Sequence, residues 1–318
     1  MTLQELNARF ARDGRVAVVE GRNGLPKVLL SHPCGAKAEV YLHGAHVTSW
    51  STPAGKDLFF VSQQSWFESA KPIRGGIPVI FPQFGPGPLP PHGLARINSW
   101  TLAESGIGRG NSTSVTLKLC DSAATRALWP HAFDLTYQVI LGDTYNMDNA
   151  LTLVMTAANT GDKPFPFKAA LHTYFAIQDI RRAAVLGLTG VTYVDSLRNN
   201  VREPEKRNEI LFDRETDRIY CAGPDRVAIR DDARAAFLAI EKEGMPDYVV
   251  WNPWIDKAKR MPDFGDDEWP HMLCVETGII DAPRDLKPGE SWTGRTTLRD
   301  TTTLSPLWLD PKWDFKGR

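Results

Sequence analysis

Apolar and polar residues alternate with a period of two in one window after another along this chain. In FDLTYQVIL, Phe133, Leu135, Tyr137, Val139 and Leu141 fall on one face, and Asp134, Thr136, Gln138 and Ile140 on the other, as in a half-buried strand. SVTLKL, ALTLVMTAAN, RVAIR, AFLAIEK, DYVVW, MLCVETGII and GRTTLR behave similarly, separated by turn-forming segments such as NTGDKP, AGPD and KPGES. Two helices are predicted: LQELNARFA near the start, and SAATRALWP, which its proline stops after about two turns. No strand-helix-strand rhythm appears, so a parallel α/β sheet is disfavoured and an all-β chain is expected. No internal repeat or low-complexity linker divides residues 1–318, which read as one domain. Residues 301–318 leave the strand pattern as a polar tail, with Trp308 and Trp313 expected to dock against the body.

Composition narrows the class. Lys plus Arg is 37 and Asp plus Glu 38, a formal net charge of -1 with no long block of one sign, which argues against a nucleic-acid surface. The start of the chain has no apolar segment of signal-peptide type, and runs such as IPVIF and YVVW fall far short of the ~20 residues that span a bilayer. A soluble, cytoplasmic protein without membrane or nucleic-acid partners is expected, acting as a monomer. Cys34, Cys120, Cys221 and Cys274 lie far apart with no C-x-x-C pair and read as reduced, partly buried thiols. The 25 glycines and 23 prolines suit many turns between short elements.

Neither G-x-x-x-x-G-K-[ST] nor a G-x-G-x-x-G between strand and helix occurs, which disfavours a nucleotide enzyme. His43 and His46, three apart, would point to opposite faces of a strand, so no metal is expected there. Residues 74–96, RGGIPVIFPQFGPGPLPPHGLAR, are more informative. Arg74 and Arg96 offer planar forks of donors for a carboxylate, a phosphate or vicinal hydroxyls, and Gly75 and Gly76 would let a ligand approach the backbone. Two ordinary surface arginines around a proline-rich loop are the alternative; His92 on that irregular loop balances the two readings.

In PFKAALHTYFAI, period two sets Phe167, Ala169, Leu171, Thr173, Phe175 and Ile177 on one face and Lys168, Ala170, His172 and Tyr174 on the other. His172 is therefore a proton-transfer group, part of an exposed strand face, or a histidine satisfied by a backbone carbonyl. Glu276 sits in a strand apolar on both sides, sharing a face with Met272 and Cys274 opposite Leu273, Val275, Thr277 and Ile279. Burial there would raise its pKa and make it a base near neutrality, unless an arginine on a neighbouring strand pairs with it. Asp217 in ETDRIY is by itself an ordinary polar residue. Trp251 and Trp254 in WNPW offer either sugar-stacking faces or core packing.

Taken in order, KPIRGGIPVIFPQFG, HGLAR with a tryptophan after it, LHTYF, and VVWNPWIDKAKRMPDFGDDEWPHMLCVETG resemble the hexose-6-phosphate mutarotases, or glucose-6-phosphate 1-epimerases, of the aldose 1-epimerase (galactose mutarotase-like) superfamily. The resemblance spans roughly residues 35 to 300 and implies a large antiparallel β-sandwich with few short helices. It implies His172 and Glu276 as catalytic residues and Arg74, His92, Arg96 and Asp217 as substrate contacts, with Asp195 in YVDS as the fallback for the aspartate. The implied reaction is interconversion of the α and β anomers of a hexose 6-phosphate, a small-molecule substrate, by one acid and one base without a cofactor. Two positions depart from the family: Pro91 replaces a glutamine, removing a side-chain hydrogen bond to substrate, and Thr277 replaces a proline. The rival classes are a non-catalytic carbohydrate-binding protein and a glycoside hydrolase using Asp217 and Glu276.

Overall fold

The computed structural model describes residues 1–142 and 149–302. Among them, the chain forms a four-stranded, an eight-stranded and a nine-stranded sheet with antiparallel ladders, as the all-β expectation required. The α-helices among the described residues are Leu3–Phe10, Ala123–Leu128 and Trp254–Ala258. The first begins in a capping box between Thr2 and Glu5, which satisfies backbone N–H groups that a helix start leaves open. The third, only WIDKA, is too short to leave a periodic signature and was not expected. No helix among the described residues is long and apolar enough to cross a membrane.

The alternation seen in the sequence becomes the two faces of each large sheet. Leu273, Val275 and Ile279 of the strand Met272–Leu286 share one core cluster with Leu153, Leu238, Ile240, Trp292 and Leu298 of the nine-stranded sheet. Each such side chain, once fully buried, contributes about 1.5–3 kcal/mol of transfer free energy. The two sheets therefore pack as a sandwich. Directly across this core, the Thr277 and Thr296 hydroxyls bond at 2.6 Å. Thr277 thus ties one sheet to the other.

The eight-stranded sheet runs from Val201–Pro204 through Thr192–Asp195, Thr216–Tyr220, Asp247–Asn252 and Met272–Leu286 to Phe165–Leu171 and Val79–Ile80. Its outer face carries a second cluster, including Phe60, Tyr174, Val249, Trp251, Phe264, Met272 and Cys274.

Three expectations need correction. His43 lies in the turn before the strand His46–Ser51, so strand spacing does not relate the two histidines; their Nε2 atoms instead meet the carbonyls of Lys71 and Gly75, each at 2.7 Å. The cysteines are free but not uniformly half-buried, since Cys120 is exposed and Cys274 buried. The last strand, Ser291–Thr301, carries the ladder one residue into the expected tail, while Trp308 and Trp313 lie outside the described residues.

Candidate active site

The outer face of the eight-stranded sheet is built in rows. Residues opposite each other on neighbouring strands share a face, so the register aligns Asp217, Trp251, Cys274 and Tyr174 in one row. The next row holds Ile219, Val249 and Glu276. Phe165–Leu171 and Tyr174–Ala176 pair successively with the same long strand, Leu171 opposite Thr277 and Tyr174 opposite Cys274. His172 stands at the break between them, level with Glu276. Its Nδ1 lies 3.3 Å from Glu276 Oε1, with 9 % and 1 % of the two side chains exposed.

Aromatic rings enclose the imidazole. Tyr174 stacks on it with centroids 4.8 Å apart and planes 8° from parallel, while Trp251 meets it edge-on at 6.1 Å. His92 approaches at 5.4 Å and is itself braced by Phe84 at 5.0 Å. His92 holds φ 66, a left-handed conformation that costs a non-glycine residue energy and that the surrounding loop must impose. Gln83 organises that loop: its amide donates to the Gly85 and Leu89 carbonyls and its oxygen accepts from Leu89 N–H. The Gly85 N–H points at His92 Nδ1 at 3.4 Å, which leaves Nε2 as the protonated nitrogen of the neutral ring.

The two arginines are held differently. Arg74 donates through Nη1 to the Tyr174 hydroxyl at 2.9 Å and through Nε to Asp263 Oδ2 at 3.1 Å, with Nη2 also 3.1 Å from that oxygen. Arg96 donates to the Pro91 carbonyl at 2.7 Å, and its buried Nε has no hydrogen-bond partner. Arg74 is thus paired directly with a carboxylate, whereas the hydrogen bond of Arg96 goes to a backbone carbonyl, with Asp263 and Glu276 favouring its charge from farther off. Gly75 and Gly76, at φ 109 and 58, turn where a Cβ would collide with the Phe60 and Val47 backbone carbonyls. The RGG glycines exist for chain packing behind Arg74, which corrects the expectation that they open the backbone to a ligand.

Burial governs the charges. It pushes Glu276 well above the ordinary carboxylate range, with Asp217 adding to the rise and Arg96 opposing it. His172 is driven well below the ordinary histidine range by burial first, then by His92, Arg96 and Arg74. His92 falls to about 3 by burial and by the same two arginines, and burial and Arg74 lower Arg96 to about 10. For Arg74, burial works against the charge, but Tyr174 and Asp263 outweigh it and hold it above the usual range. Burial also raises Asp217, against a hydrogen bond from Ser196. The His172–Glu276 separation is that of an ion pair, yet burial disfavours both charges, and neither Nδ1 nor Glu276 Oε2 has a hydrogen-bond partner. Burial thus works against charge on both members of the pair.

His172, Glu276, His92, Arg74 and Arg96 thus converge, and Asp217 shares their sheet face two strands from Glu276. The partner weighed for Glu276, an arginine ion pair on a neighbouring strand, is replaced by His172. Asp195 faces the other way: it sits opposite Arg218 in the row continuing to Val250 and Val275, on the side turned to the inter-sheet core. Trp251 lines the site, whereas Trp254 packs on Trp269 at 4.3 Å. Asp263 was not singled out from sequence, and Tyr174 was placed on the right face without a role. Two surface recesses, of about 690 Å³ near Thr192 and Cys221 and about 510 Å³ near Arg126 and His131, contain none of the singled-out residues.

Comparison with known proteins agrees with this architecture. The aldose 1-epimerase family pattern matches residues 26–299. A relative from Cenchrus ciliaris, provisionally named a glucose-6-phosphate 1-epimerase, is 40% identical over 286 residues, covering 88% of this chain and 86% of its own. One from Escherichia coli, named likewise, is 33% identical over 257 residues, 80% of this chain and 83% of its own. A crystal structure from Salmonella typhimurium, provisionally named a mutarotase, superposes with a TM-score of 0.83 at 26% identity, covering 94% of this chain and 98% of that one. The chain belongs to the aldose 1-epimerase family, whose members are isomerases.

Proposed function

We propose that this protein interconverts the α and β anomers of a hexose 6-phosphate, with glucose 6-phosphate as the preferred substrate. The observation that carries the reading is the unmatched His172–Glu276 pair, 3.3 Å apart and buried beside two arginines. Ring opening of a hemiacetal needs a base at the anomeric hydroxyl and an acid at the ring oxygen, with the roles reversed on reclosure. Glu276 takes the anomeric proton and His172 donates to the ring oxygen; His92, a neutral Nε2–H donor, steadies charge that develops nearby.

Burial keeps the shared proton on Glu276, so substrate binding has to pass it to His172, leaving a carboxylate base and an imidazolium acid. Arg96 and Arg74 are among the causes that disfavour an imidazolium. An anionic phosphate beside them cancels part of that field and raises the imidazole pKa. Arg96, whose hydrogen bond goes to a backbone carbonyl, is the better phosphate anchor; Arg74, already paired with Asp263, suits a sugar hydroxyl. Asp217, on the same sheet face, fits a hydroxyl contact at the far side of the sugar ring.

The test is two-dimensional NMR exchange spectroscopy of the anomeric protons of glucose 6-phosphate and of glucose, at low and high salt. Catalysed exchange of the phosphate ester that weakens with salt is expected. Faster exchange of free glucose at every ionic strength would overturn the substrate assignment. Binding without exchange would favour a carbohydrate-binding protein, and release of a reducing end from a glycoside would favour hydrolysis.

A further inference from the structure

A proton-transfer histidine is ordinarily oriented by a hydrogen bond at its second nitrogen, from a carboxylate or a carbonyl. His172 lacks that device, since its buried Nδ1 makes no hydrogen bond despite the carboxylate 3.3 Å away. Something else must fix the ring. The near-parallel face of Tyr174 covers it at 4.8 Å, and Tyr174 is itself 1 % exposed and immobilised at its far end, where its hydroxyl accepts from Arg74 at 2.9 Å. Arg74 in turn spends its other two nitrogens on one oxygen of Asp263, which is 2 % exposed. The chain of contacts runs unbroken from a buried carboxylate to the imidazole.

Resting on the proposed reaction, we infer that Tyr174 is the positioning residue for the His172 imidazole, held in register by Arg74 and Asp263. Tyr174 touches neither proton in transit; it sets the plane in which His172 reaches the ring oxygen. The arrangement also couples two events. A substrate oxygen that draws on Arg74 pulls on the hydroxyl that holds the stacking ring, so ground-state contact and acid alignment share one guanidinium.

The test combines Tyr174→Phe, Asp263→Asn and Tyr174→Leu with the anomer-exchange assay and with the NMR signals of the His172 ring protons, which stacking on Tyr174 shifts upfield. A ring misplaced by an ångström costs on the order of a hundredfold in rate. Tyr174→Leu should therefore lower kcat about a hundredfold, and Tyr174→Phe and Asp263→Asn about tenfold, with KM within about threefold. The His172 ring signals should move downfield in Tyr174→Leu. Should Tyr174→Leu fail to fold, the two isosteric variants still decide. Wild-type kcat in both of them, or a loss confined to KM, overturns the inference. An inactive wild-type protein would instead defeat the proposed reaction, and the ring signals would then judge the stacking role alone: unmoved signals in folded Tyr174→Leu would refute it.

Discussion

One strand, Thr216–Tyr220, sends Arg218 to one face of the eight-stranded sheet and Asp217 to the other, and the two faces treat charge in opposite ways. Toward the core, Arg218 pairs with Asp195 at 3.2 Å and Glu205 at 3.7 Å and lies 4.6 Å from the centre of the Tyr193 ring. Glu205 also accepts from Tyr220 at 2.9 Å and pairs with Arg207 at 2.6 Å. Toward the outer face, Asp217 looks onto Glu276, His172 and Arg96, where buried Nδ1, Oε2 and Nε atoms are left without hydrogen bonds. Residue types are the same on both sides; the matching is not. A folded chain tolerates unpaired buried polar atoms at a cost of about 1–3 kcal/mol each, so a cluster of them where a matched network was within reach marks a surface kept ready for a ligand. The network around Arg218 is matched, and the cluster around His172 is not.

That contrast can be broken at either end. Glu205→Ala removes the carboxylate shared by Arg207, Arg218 and Tyr220 and should cost about 1–3 kcal/mol in urea denaturation, while turnover per folded molecule stays within about threefold. Arg96→Ala should do the reverse: stability holds or rises, and KM for the 6-phosphate increases roughly ten- to a hundredfold, the equivalent of losing a hydrogen bond to a charged group. If Arg96→Ala instead behaved like Glu205→Ala, the arginine would belong to the structural class.

A pH titration of stability sharpens the same point. His92 falls to about 3 in the folded chain, so below its ordinary pKa of 6.5 the unfolded chain binds a proton that the folded chain refuses. Stability from this group is present above pH 6.5 and is lost as pH falls toward about 3, at about 1.4 kcal/mol per unit. His92→Asn, which tolerates the same positive φ, should reduce the measured slope by that amount and leave the share of His46 and His172; an unchanged slope in chemical denaturation between about pH 6 and pH 4 would show that His92 titrates normally. Smallest of all, Thr277→Val deletes the 2.6 Å bond to Thr296 across the sandwich. It should lower stability by about 1 kcal/mol and leave anomer exchange unchanged, because the hydroxyl points away from the site.

Much of the fold was legible because period-two alternation is a local signal: the faces assigned to Phe133–Leu141 and to residues 272–280 are those observed. The aspartate question was not legible, because Asp217 and Asp195 differ only in which face the long-range register turns outward. Asp263 was hidden among Asp256, Asp266 and Asp267, and only closure of that loop over Arg74 distinguishes it. The break that frees His172 from the ladder was invisible for a similar reason, since it depends on two segments sharing one distant partner strand. The RGG glycines misled because a close backbone approach leaves the same mark whether the visitor is a ligand or the chain itself.

The most direct test of the account is the rate of catalysed α/β exchange of glucose 6-phosphate, read from anomeric cross-peaks, in wild type, His172→Asn and Glu276→Gln. The account predicts that each substitution lowers the rate by about a hundredfold to ten-thousandfold while the fold and its urea midpoint stay intact or improve. Near-wild-type exchange in either variant would contradict it.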